Sequence, residues 1–236
     1  MILIIYNFIF PIRLVVFPQF AFLLYAFLLA QAIFYRNLFV IFTKTSFFAP
    51  TIFLSTIVLL LSIFSILYNQ SNDFLGIILI VKYIFSITSS LIITLFIIRQ
   101  YQNNSLLIFM KIIVLSTLLV AVVCISEFFI PEVKMLLADI IYDPPGHTDY
   151  ATSFRVKGLA SSGGSSLSVG LATATILSYF LISITKGIKS LFWIFSTFII
   201  SISTLFVGRA GIFLILAFFL LQFISSFSLK SIAKVI

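Results

Sequence analysis

Charged residues are scarce, 8% of the 236-residue chain against about 25% in ordinary soluble domains, and so few cannot build a water-facing surface. A water-soluble globule is therefore excluded. So is disorder, because 62% of the residues are hydrophobic and 30 are Phe. Cysteine occurs once, as Cys124 within an apolar run, so neither a disulfide framework nor a cysteine metal cluster can form. A small buried hydrophobe is the expected role of that side chain. Histidine also occurs once, at His147, and no HExxH, HxxxH or clustered-carboxylate pattern is present, so no metal and no other cofactor is expected. Acids are fewer than bases, 6 against 14, but the bases are singletons that form no run of the kind that grips nucleic acid.

What the chain does have is long apolar runs. A helix needs about 20 mainly apolar residues to cross the hydrocarbon of a bilayer. Seven stretches qualify, roughly 14–35, 47–68, 74–98, 106–130, 166–185, 190–207 and 210–229. The expected fold is all-α: a polytopic transmembrane helical bundle of about seven spans, one membrane domain over 1–236, with one long outer loop at 131–165. Met1 to Phe10 is apolar but is cut off from the first full span by Pro11 and Arg13. Lacking a charged start and a small-residue cleavage site, it reads as an interfacial stub or the remnant of a helix, and not as a removable signal peptide.

The charges between spans alternate in sign. Arg36 and Lys44, Arg99, the pair Lys186 and Lys189, and the pair Lys230 and Lys234 mark one side; Asp73 and the acid-rich segment from Glu127 to Lys157 mark the other. Basic short loops stay in the cytoplasm, which places the segments near residues 40, 100, 187 and 232 inside and the rest outside. Lys82 and Lys111 fall inside the edges of spans, where snorkelling toward headgroups accounts for them. An ion path through them would need an acid at depth, and no span is expected to offer one.

The segment from Glu127 to about Ser165 is the one long hydrophilic stretch. Connecting loops beyond roughly 12–15 residues usually bind or gate something. Its first part, PEVKMLLADIIYD, begins with Pro131 and sets Val133, Leu136, Leu137, Ile140 and Ile141 on one side of a helical wheel, as in a short helix lying on the outer interface. Pro144 and Pro145 end it. The rest, GHTDYATSFRVKGLASSGGSS, combines an acid or base set (Asp143, His147, Asp149), a cationic pair (Arg155, Lys157) and the Gly163–Gly164 tract with its flanking serines. That tract is either a hinge at a helix entry or a set of backbone amides that cradles an anion. The next span opens with Ser166, Gly170 and Ala174 at four-residue spacing, a small-residue ridge that lets another helix approach closely.

The apolar region from Leu191 to Leu221 is too long for one span and is broken by Gly208-Arg209-Ala210-Gly211. A hairpin there sets Arg209 at the outer surface, so Arg155 and Arg209, distant in sequence, face the same compartment. Two arginines can grip a phosphate or pyrophosphate headgroup bidentately with charge that does not titrate. The plainer alternative makes Arg209 an interfacial anchor.

The order RVKGL, Gly/Ser-rich helix start, helix, then STLFVGRAGIFLIL, over roughly 150–225, resembles the later part of the O-antigen polymerase and O-antigen ligase superfamily. There a helix ends in a Ser/Gly-Arg-Gly/Ala-Gly type turn on the periplasmic side, which Gly208 to Gly211 match. The resemblance implies a bacterial inner-membrane protein that takes an undecaprenyl-diphosphate-linked glycan and transfers it to an acceptor sugar at the outer face. Membrane lipids and other polysaccharide-assembly membrane proteins are the implied partners. Shorter than members of that superfamily and lacking their second large outer loop, the chain reads as a compact variant, a truncated reading frame or a partner-dependent half.

For such a transfer, cations are needed where charge develops on the leaving diphosphate; Arg209 and Arg155 are the candidates, with Lys157 assisting. His147, Asp149 or Asp143 are candidates to take the proton of the acceptor hydroxyl, and a histidine near its usual pKa of about 6.5 suits that task. Gly163 and Gly164 are candidate substrate-contacting backbone. Two rivals are a flippase-like transporter of polysaccharide or lipid, with the outer loop as its gate, and a non-enzymatic truncated membrane protein. A transporter predicts paired internal halves and polar residues at mid-membrane depth on several helices.

Overall fold

The structure, a computed structural model, describes residues 48–69, 75–141, 156, 158 and 164–226. Among them every regular element is helical, and the order is α1 (Phe48–Asn69), α2 (Leu75–Tyr101), a 3-10 turn (Gln102–Asn104), α3 (Ser105–Phe129), α4 (Pro131–Ile140), α5 (Ser165–Ile184), α6 (Ile188–Val207) and α7 (Arg209–Ser226). Each of the six apolar runs that fall on described residues forms a helix whose ends lie within a few residues of those expected. The run near 14–35 lies outside the described residues. Among the described residues three stretches are long and apolar enough to cross a membrane: Ile92–Phe129, which the 3-10 turn interrupts, Ser165–Ile184 and Ile188–Val207. The short helix α4 begins with Pro131 at its first turn, where the missing N–H removes nothing the helix would use. Of its apolar face Leu137 is buried and Leu136 and Ile140 are exposed.

The chain divides into two compact units, one of residues 22–106 and one of residues 1–21 with 107–236. In the first, α1 packs against α2. In the second, α5 and α6 form a hairpin through the three-residue connection Thr185-Lys186-Gly187, and α7 packs chiefly on α5. One core joins α3, α5 and α6: Val114, Val120, Ala121 and Cys124 from α3, Leu167, Leu171, Ala174 and Leu181 from α5, Trp193, Ile200 and Val207 from α6.

The packing of this second unit has large apolar side chains outside and small polar ones within. Phe195 and Phe198 are exposed, whereas Ser116, Thr117, Ser168, Thr175, Ser178, Ser196, Ser203 and Thr204 are buried. Lipid tails are as apolar as Leu, so burial between membrane helices gains from close approach and hydrogen bonding and not from hiding hydrocarbon. Most of these hydroxyls are held in ways that need no water. Thr117, Thr175, Ser196 and Thr204 each donate to the backbone carbonyl four residues back, at 2.8 to 3.1 Å. Ser178 Oγ instead crosses to α6 and donates to the Trp193 carbonyl at 3.0 Å, with Thr197 Oγ1 2.9 Å from Ser178 Oγ.

The expected ridge of Ser166, Gly170 and Ala174 is a correction. Ser166 is exposed and Gly170 half-buried; the small residues at the contact are Ser168, Ala172, Ala174, Thr175 and Ser178. Cys124 is buried and free, as its apolar setting indicated.

Candidate functional site at the paired helix ends

Four helix ends meet at one end of the second unit. Gly164, the cap residue of α5, accepts the Ser168 N–H with its carbonyl at 3.0 Å and so starts that helix. At the other side of the contact, the Gly208 N–H donates to the Thr204 carbonyl at 3.2 Å, and the chain passes directly into α7 at Arg209. Ser168 joins the two helix starts: its Oγ accepts the buried Gly211 N–H at 3.1 Å and lies 3.1 Å from the Ser165 carbonyl, to which it donates. The fit is closest at Gly211, where a Cβ would overlap the Ser168 carbonyl and come within 2.5 Å of the Thr204 methyl group. At Gly208 a Cβ would sit 3.2 Å from Ser168 Oγ and 3.4 Å from the Gly164 carbonyl oxygen.

The starts of α5 and α7 are thus side by side, and Arg209 stands exposed as the first residue of α7. A cation at that position is set against the positive end of its own helix, a disadvantage of about 0.3–1 kcal/mol. Two helix starts beside an exposed guanidinium favour an anion.

The end of α3 closes the same region. Phe128 stacks on Phe206 of α6, ring centroids 4.1 Å apart, and Phe129 meets Phe206 edge-on at 5.9 Å. One residue before Phe128, the Glu127 carboxylate is buried and its Oε2 accepts the Gly158 N–H at 2.7 Å. Val156 is buried in the core shared with Cys124 and Val120. The RVKGL segment is thereby tied to the bundle at its second and fourth residues.

Among the candidates drawn from sequence, Gly164 and Arg209 are at this end, on the two helix starts that Ser168 links. Arg155, Lys157, Gly163, Asp143, His147 and Asp149 lie outside the described residues, though the first two flank the anchored Val156 in sequence. Glu127 is the residue that sequence reasoning missed. It was counted with the acids of the outer loop, and no span was expected to hold an acid at depth; it is instead 7% exposed, in the last turn of the third helix. The signal was present in its spacing, since Val120, Cys124 and Glu127 fall on one face of a helix. Among the described residues no group of His, Cys, Asp and Glu is arranged to hold a metal ion.

Comparison with family models, with curated proteins and with solved structures returns no match.

Proposed function

We propose that this protein is a polymerase or ligase of the O-antigen polymerase and ligase type, transferring a polyprenyl-diphosphate-linked oligosaccharide to an acceptor glycan. It works at the outer face of a bacterial inner membrane as a multi-pass protein of about seven spans, with residues 131–165 as its long outer loop. The observation that carries this reading is the pairing of the α5 and α7 starts through Ser168 and Gly211, with Arg209 exposed where its own helix dipole disfavours a cation. A diphosphate at that point would be met by both helix starts and by the guanidinium. Arg155 would supply the second cation, from the segment that Val156 and Gly158 fix to the same unit.

In the transfer, the bond between the donor sugar's anomeric carbon and the diphosphate oxygen breaks as the acceptor hydroxyl attacks. Arg209 and Arg155, with Lys157, stabilise the charge that grows on the leaving diphosphate; His147, Asp149 or Asp143 takes the hydroxyl proton. The buried Ser and Thr side chains argue against the transporter alternative. Most of them donate to their own helix backbone, so they act as contacts between helices and do not line a polar path.

Arg209→Ala and Arg155→Ala are expected to lower the transfer rate about a hundred- to a thousandfold at unchanged protein level, the usual effect of losing a fixed group that stabilises developing charge. Arg209→Lys should also be impaired, because an ammonium does not reproduce the guanidinium fork. Polymer from cells carrying each variant, separated by chain length on a gel, is the measurement. A wild-type ladder in both alanine variants refutes the assignment.

A further inference from the structure

A buried carboxylate at the end of an apolar helix needs compensation, and Glu127 finds part of it 31 residues away. The Gly158 N–H reaches its Oε2 at 2.7 Å, the short range of a charge-assisted hydrogen bond. Two features beside it are independent of the carboxylate. Gly158 has φ +58°, a left-handed conformation that side chains rarely adopt, and a Cβ built there would come within 2.5 Å of Cys124 Sγ. Val156, two residues earlier, is buried against the same part of α3. Val156 and Gly158 therefore form a strap laid over Cys124, and Cys124 has no exposed surface.

We infer that Glu127 is a positioning residue, a latch that holds this strap on α3 and so fixes where the segment bearing Arg155 and Lys157 leaves the bundle. Its role toward those two cations rests on the function proposed above; its role as the latch does not. Glu127 acts through the backbone of Gly158 and touches no reacting group.

Cys124, the chain's one cysteine, reports directly on the latch because the strap covers it. The experiment uses the full chain in membranes and a small maleimide, with the rate of Cys124 modification as readout. Wild-type Cys124 should react fully only after denaturation. Glu127→Ala should react about ten- to a hundredfold faster than wild type, since a lost buried hydrogen bond to a charged group raises local opening by that order. Glu127→Gln, whose amide oxygen still accepts the Gly158 N–H, should stay within a few fold of wild type. Gly158→Ala leaves the carboxylate in place and should open the strap by collision with Cys124, which keeps the test valid where Glu127→Ala does not fold. A wild-type labelling rate in folded Glu127→Ala, or in Gly158→Ala where Glu127→Ala does not fold, overturns the latch.

Polymer assays on the same variants separate this inference from the proposed function. Glu127→Gln should keep polymer and Glu127→Ala should lose it. If the labelling behaves as stated while Arg209→Ala makes normal polymer, the polymerase reading fails and the latch stands. If Arg209→Ala lacks polymer while Glu127→Ala labels at the wild-type rate, the latch fails and the polymerase reading stands.

Discussion

Gly211 illustrates how much a single missing Cβ decides in this bundle. The α7 backbone approaches α5 so closely there that the Gly211 N–H is hydrogen-bonded to Ser168 Oγ, and a methyl group would have to displace the α5 backbone. Gly211→Ala should therefore lower stability by about 1–3 kcal/mol, the range for overpacking a close contact, as read from unfolding in mixed detergent micelles. An unchanged midpoint would mean that the two helix starts are not held in contact in solution. The sequence showed that 208–211 breaks an apolar run, and that Arg209 sits in the break. It could not show which glycine was required by packing, because that depends on Ser168, 43 residues away. Glu127 was hidden for a related reason: its neighbours PEVK and FFIP suggested a loop margin, and only the face it shares with Cys124 and Val120 reveals burial.

At the scale of helices, most of the fold was legible. Apolar run length and the residues that interrupt runs located all six described apolar helices, because a membrane-length helix must be continuous in apolar side chains. Which face of each helix turns inward was not legible from hydrophobicity, since both lipid-facing and core-facing surfaces are apolar. Small polar residues were the better guide, and the shift of the α5 contact from Ser166 to Ser168 shows that spacing alone leaves the phase open. The pairing of α5 with α6 provides a test of the hydroxyls as contacts between helices. Ser178→Ala removes the cross-helix donor to the Trp193 carbonyl and one of the two acceptors of Thr197 Oγ1, which keeps its own bond to that carbonyl at 2.8 Å. The expected loss is about 0.6 kcal/mol and at most about 1.7, in the range measured for hydrogen bonds between membrane helices. Ser183→Ala, whose hydroxyl bonds within its own helix and is exposed, serves as the control and should be nearly silent.

For the whole molecule, charge sets the orientation and the fold sets which residues share a side. Lys186 and Lys189 lie at the α5–α6 turn, at the opposite end of that hairpin from Gly164 and Gly208. The pairing of helix starts at Ser168 ties Arg209 to the Gly164 end, so inverting one inverts both. Basic short loops remain cytoplasmic, so the proposed function carries the expectation that the Lys186 turn is inside and the Arg209 end outside. A phosphatase that is active only outside the membrane should thus be active when fused after residue 146 or inserted at 209, and inactive when fused after 187. Replacing Lys186 and Lys189 by Asn should weaken this preference, because the bias comes from Lys and Arg and not from net charge. An inside location for residue 209 would leave the helices and the Glu127 latch untouched, yet it would put the arginine on the wrong side of the membrane for a donor used at the outer face. The topology experiment therefore bears on function more sharply than on fold, since the chemistry proposed for Arg209 depends on the side it occupies.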